Sequence, residues 1–139
     1  KNGKIVLSTP NSSGWGAKLF GKYWINWHTP YHLNLFSKSS IRIALENAGF
    51  NNIQIRTVTS SEWLNYQWSH ILFYPEKGEH SYFWSNEEKK KMIVTKKGRK
   101  KLSRYICNLL HRTKLNHIIT RIFDALGMGD NMLVTAEKK

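Results

Sequence analysis

Hydrophobic and polar positions divide the chain into a few short elements. Ile5-Val6-Leu7 is a compact apolar run, preceded by Asn2-Gly3 and stopped by Pro10-Asn11. It predicts a strand buried on both faces, as in a parallel sheet. Periodicity then lapses from residue 12 to 36. This stretch is loosened by Gly14, Gly16 and Gly21 and loaded with Trp15, Phe20, Tyr23, Trp24, Trp27, Tyr31 and Phe36. A long aromatic loop in a compact domain points to a binding lid more than to a spacer. Ser37 is a good N-cap, Ile41, Ala44, Leu45 and Ala48 recur at helical spacing, and Gly49 stands where the helix must end. Ile53, Ile55 and Val58 restore a near-alternating pattern and predict a second strand.

From residue 60 to 130 the texture is helical. Trp63, Leu64, Trp68, Ile71 and Leu72 mark one helix over residues 62–73, and Pro75 to Ser85 forms a loop with Gly78. Asn86 caps a further helix whose first turn holds Glu87 and Glu88, and Gly98 separates it from the next. Leu102, Tyr105, Ile106, Leu109 and Leu110, then Leu115, Ile118, Ile119, Ile122, Phe123 and Leu126, form two stripes of an amphipathic pair with a bend near Thr113. Gly127-Met128-Gly129-Asp130 is a turn, and Met132-Leu133-Val134 with Ala136 a last strand. The order is strand, aromatic loop, helix, strand, helical block, strand. That is an α/β pattern with too few strands for a doubly wound sheet. It predicts the second half of one, residues 1–59 and 131–139, with residues 60–130 as a basic helical insertion.

Charge adds a partner to this picture. Twenty-two Lys and Arg against nine Asp and Glu give a net charge of +13 over 139 residues. Such a balance suits an anionic surface or ligand. The excess is local: Lys89, Lys90, Lys91, Lys96, Lys97, Arg99, Lys100, Lys101 and Arg104 lie between residues 89 and 104, where no acidic residue occurs. The plain reading is a solvated helix face. The sharper one is an anionic membrane surface, with the Leu102–Leu110 stripe dipping into lipid while the lysines meet head groups. Nucleic acid would use the same charges, with Tyr82 and Trp84 as stacking surfaces. It is the weaker candidate, because nothing resembles an RNA- or DNA-binding module. Cys107 is the single cysteine, which excludes an internal disulfide framework and a Cys-rich zinc site. Its position beside Ile106 and Leu110 predicts an inert, buried thiol. No apolar run approaches the roughly 18 residues of a membrane span. Lys1-Asn2-Gly3-Lys4 is no signal peptide, so the expected setting is cytoplasmic or membrane-peripheral.

Four motifs in series carry a resemblance. A strand with Ser8-Thr9-Pro10-Asn11 is followed by Phe20-Gly21-x-x-Trp24. Then come Pro30-Tyr31-His32-Leu33-x-x-Phe36-Ser37 and a helix ending Ala48-Gly49-Phe50. The series resembles the class I S-adenosylmethionine-dependent methyltransferases, in their ubiquinone-biosynthesis-like, type 11 and type 23 branches. It covers residues 1–58 and the last strand, 131–137. The resemblance implies a partial Rossmann-like sheet with strands placed as 5, 7 and 6 of that fold, the last antiparallel between the other two.

It also implies that the Gly-rich turn holding the methyl donor lies upstream of residue 1, so the chain is an acceptor-side fragment that binds no S-adenosylmethionine and is inactive alone. Gly14-Trp15-Gly16 follows no adjacent predicted strand, and Gly127-Met128-Gly129 precedes a strand instead of following one. His32 is the implied general base, since an imidazole with a pKa near 6.5 suits proton acceptance. Its alternative role is to brace the lid. Asn11, Trp24, His28, Tyr31 and Phe36 are the implied contacts to a small or lipid-linked acceptor. Asn11 equally suits an Asx turn that stops the strand, and the aromatics equally suit a plug on the core. His28 and His32 stand four apart, but Pro30 between them breaks the helical geometry a metal pair needs, and no third ligand is evident. A different function class, a non-catalytic basic module on membrane or nucleic acid, fits the charge alone. An exposed edge on the first strand would also favour a homo-oligomer along residues 4–9.

Overall fold

A computed structural model describes residues 3–27, 32–75, 82, 85–96 and 101–138, the backbone alone for 96 and 101–104. The predicted Gly98 break and most of the Pro75–Ser85 loop lie outside the described residues. The chain forms two compact units, Lys1–Thr59 with Ile119–Lys139, and Ser60–Ile118.

The first unit is α/β, built on a three-stranded antiparallel sheet. Strand β1 spans Lys4–Pro10, β2 spans Phe50–Thr57 and β3 spans Asn131–Lys138. Their order is β1-β3-β2, so the last strand in sequence lies in the middle. It runs antiparallel to both neighbours, pairing Leu7 with Val134 on one side and Ile55 with Val134 on the other. Helix α2, Lys38–Asn47, follows from a capping box. The Ser37 hydroxyl accepts from the Ser40 N–H (3.1 Å) and the Ser40 hydroxyl from the Ser37 N–H (2.9 Å). Gly49 ends it with φ +77°, a conformation costly for any side chain with a Cβ. Ile41 and Leu45 of α2 pack on Met132, Val134 and Ala136, with Ile5, Leu7, Phe36, Phe50, Ile53 and Ile55 around them.

Alternation decides this core. β3 buries Met132, Val134 and Ala136 while Leu133 stays on the open face. The buried face is single. The expectation that β1 is covered on both sides fails at Val6, which is 66% exposed. β1 instead alternates as a one-faced strand. Its outer edge pairs with no other strand among the described residues, and this is the edge along which a second copy was expected. β2 starts at Phe50, earlier than its apolar alternation implies, because a bulge between Asn51 and Gln54 interrupts the pattern. Asn52 takes the left-handed φ of +48° there, and its amide donates to Glu137 (2.7 Å).

The second unit is helical. Helix α3 is Ser61–Leu72, α4 Glu87–Lys96 and α5 Lys101–Arg112, with the start of α6, Leu115–Ala125. Asn86 caps α4 through its side-chain oxygen, which accepts from the Lys89 N–H (3.0 Å). α3 packs on α5, burying Leu64, Gln67 and His70, and Trp68 donates to the Asn116 carboxamide (3.3 Å). The bend predicted near Thr113 is the left-handed Lys114, φ +60°. Cys107 is half-buried rather than fully buried, and burial raises its thiol pKa.

The packing makes one result definite. Met132→Ala should lower the unfolding free energy by about 2–5 kcal/mol, as a fully buried side chain is removed from a core. Val6→Ala should change it by no more than about 0.5 kcal/mol. Urea denaturation of both variants measures the difference.

Candidate functional site

Of the predicted site residues, Asn11, Trp24 and Phe36 lie near the carboxyl end of β1, where open α/β sheets take their ligands. There the aromatic stretch is not wholly a loop. It contains helix α1, Trp15–Phe20, and a 3₁₀ turn, Gly21–Tyr23. Gly14-Trp15-Gly16 therefore does stand between a strand and a helix, contrary to the expectation from sequence.

Its glycines do not open onto solvent. The Gly16 N–H, in the first turn of α1, donates to Asp130 Oδ1 (2.7 Å), so a carboxylate of the same chain occupies the place an anion would take. The Trp24 indole donates to the other oxygen (3.4 Å). A Cβ on Gly16 would overlap that carboxylate, and one on Gly14 would lie 2.8 Å from the Gly129 carbonyl. The two glycine turns that look unrelated in sequence are thus packed on each other, and each requires glycine for close approach. The Trp15 N–H donates to Met128 O (2.8 Å) and the Asn11 N–H to Asp130 O (2.7 Å), closing the seam.

Asn11 lies inside this seam, 1% exposed. Its amide donates to Gly129 O (2.8 Å), and its side-chain oxygen accepts from the Ser13 N–H (3.2 Å) and hydroxyl (2.8 Å), an Asx turn. The protein itself therefore engages both ends of the carboxamide. Trp24 is also buried, with its ring edge-on to Trp27 at 5.1 Å. Phe36 is half-buried, packs on the sheet core and bridges its backbone to Asn11. His32, half-buried, stands four residues before that bridge. His28 and Tyr31 lie outside the described residues.

Sequence reasoning missed a second layer. Asp124, Thr59 and Arg121 join Asp130 at the end of β2. The Thr59 hydroxyl accepts from the Asp130 N–H and donates to Asp124 Oδ1, both 2.8 Å, while the Thr59 N–H donates to Asp124 Oδ2 (2.8 Å). Arg121 pairs with Asp124 (2.7 Å) and donates to the Thr59 carbonyl. Composition held a signal for this layer: Asp124 and Asp130 are the chain's two aspartates, and they flank the Gly127–Gly129 turn.

Electrostatics single out Asp130. Burial pushes its carboxyl up to about 6, the bonds from Gly16 and Trp24 pull it partly back, and the neighbouring Asp124 charge adds to the rise. Among the described residues no cluster of His, Cys, Asp and Glu is arranged to hold a metal. A groove of about 730 Å³ lies at the opposite end of the sheet, lined by Lys4, Arg42, Asn52 and Glu137 among others. It is remote from all of these residues. Comparison with family models, curated proteins and solved structures finds no match to the chain.

Two outcomes follow. The folded pKa of Asp130 lies above that of an exposed aspartate, so the folded state binds this proton more tightly than the unfolded chain. Its contribution to stability is full below about pH 4 and is lost as the pH rises through about 6. Relative to Asp130→Asn, the protein should lose about 2–3 kcal/mol of unfolding free energy between pH 4 and pH 7. A pH-independent difference in urea titrations would refute this. Gly16→Ala should cost about 3 kcal/mol, while Gly3→Ala, with open space around it, should stay within about 0.5 kcal/mol.

Proposed function

We propose that the chain is the acceptor-side portion of an S-adenosylmethionine-dependent methyltransferase. The observation that carries the reading is the strand order β1-β3-β2, with the last strand antiparallel between two that run parallel to each other. That is the order the sequence resemblance implies for strands 5, 7 and 6. Two further features support it. α2 connects β1 to β2 and packs on the sheet, and an aromatic segment follows β1 at its carboxyl end.

The strand–glycine–helix turn at Gly14–Gly16 is filled by Asp130, so the reading assigns donor binding to residues outside these 139. Within the chain, the aromatic segment would shape the acceptor's surroundings, and His32 would receive the acceptor's proton. Trp27, partly exposed and fixed by its indole bond to Gly21 O (2.7 Å), offers a surface for an apolar acceptor, whereas Trp24 beneath it serves packing. Asn11 contributes by holding the strand end rigid.

The reading frame upstream of Lys1 tests this proposal, together with calorimetry on its product. The expected result is a strand followed by Gly-x-Gly-x-Gly, with S-adenosylmethionine bound by the extended protein and not by the 139-residue chain. An extended protein that fails to bind it, or a 139-residue chain that does, overturns the reading. In the extended protein, His32→Asn should lower kcat about 10²–10⁴-fold while leaving donor affinity unchanged.

A further inference from the structure

We propose that the Ser60–Ile118 unit docks on an anionic lipid surface through the outward face of α5. This helix is amphipathic with its apolar side turned the wrong way for a core. Tyr105, Ile106 and Leu109 are 66%, 47% and 46% exposed, whereas Cys107, Leu110 and His111 are the half-buried positions. At 100° per residue, the three exposed apolar positions fall within one arc, with Arg112 at its border. α3 packs against α5, and among the described residues nothing of this unit shelters that arc from water.

Charge identifies the occupant. Residues 89–118 hold eleven Lys and Arg and no Asp or Glu. Lys89 and Lys91 on α4 are exposed, as are Arg112 and Lys114 at the end of α5. An apolar strip within a stretch of chain that carries positive charge and no acid, with Arg112 at its border, matches the boundary of an anionic bilayer, where aliphatic side chains enter the acyl region and cations stay with the head groups. Nucleic acid would be served by the charge alone. Ile106 and Leu109 can neither stack on a base nor bond a phosphate, so it leaves their exposure unexplained. No helix among the described residues is long and apolar enough to cross a membrane, so α5 would lie in the interface plane.

The test is co-sedimentation of the full 139-residue chain with vesicles of phosphatidylcholine and phosphatidylglycerol in equal amounts, and of phosphatidylcholine alone. Binding is expected to the first and not to the second, and to weaken as salt is raised. Ile106→Asn and Leu109→Asn should each weaken binding roughly tenfold with the thermal midpoint unchanged, because both side chains already face solvent. Lys89→Glu with Lys91→Glu should weaken it and flatten the salt dependence. Equal binding to both vesicles overturns the proposal. So does binding that ignores the Asn substitutions, which marks plain charge adsorption. Two further outcomes also overturn it: tighter binding to a single-stranded oligonucleotide that displaces the vesicles, and loss of self-association in Leu109→Asn while vesicle binding persists. No methyl donor or acceptor enters this assay, so its outcome is independent of the catalytic reading.

Discussion

The seam between two glycine turns governs the sheet end of this protein. Asp130 sits at the entry to β3, 6% exposed, and receives the first-turn N–H of Gly16 and the indole of Trp24. A carboxylate so far from water is costly unless donors surround it, and the donors reach it because Gly14 and Gly16 lack the Cβ atoms that would intervene. The same contact sets where α1 begins, where Asn11 closes β1 and where β3 enters the sheet. Thr59 and Asp124 extend it to the end of β2, so the ends of β1 and β2 and the start of β3 meet in one hydrogen-bonded cluster.

That cluster changes the meaning of the residues nearest to it. Asn11 and Trp24 stand where an α/β sheet offers its ligand edge, yet both are buried and bonded within the protein. They hold the edge in shape. Trp27 packs edge-on against Trp24 and keeps part of its ring exposed. A helix start that would otherwise attract an anion is satisfied internally by the Asp130 carboxylate.

Positive charge is divided more evenly than the run at 89–104 suggests. Lys1–Thr59 with Ile119–Lys139 carries ten Lys and Arg and four acidic residues, and Ser60–Ile118 carries twelve and five. The units differ in how charge meets apolar surface. In the sheet unit, Lys4 pairs with Glu137 (2.8 Å) and Arg121 with Asp124. In the helical unit, eleven cations follow one another without an acid while α5 turns aliphatic side chains to water.

The one-dimensional pattern determined most of the elements. Alternation at Met132–Ala136, helical spacing at Ile41–Ala48, the Ser37 cap and the Gly49 stop all act within a few residues, and each appears where the pattern implies. Local signals also located the bend near Thr113 and the cap at Asn86. Other features required tertiary contacts. A helical stripe shows that a helix has an apolar side, not whether that side is covered, so the sequence left both a solvated-face reading and a lipid-facing reading of the Leu102–Leu110 stripe open, and only the fold shows Tyr105, Ile106 and Leu109 exposed. Val6 looked buried because a three-residue apolar run does not reveal how many layers flank its strand. The Asp130 seam joins residues more than 100 positions apart, and no periodicity spans that distance. The sequence by itself determined most of the strands and helices, but not α1, whose residues its pattern read as loop. Only the folded chain decided which glycines must be glycine, because that depends on the carboxylate and carbonyl brought against them from the other end of the molecule.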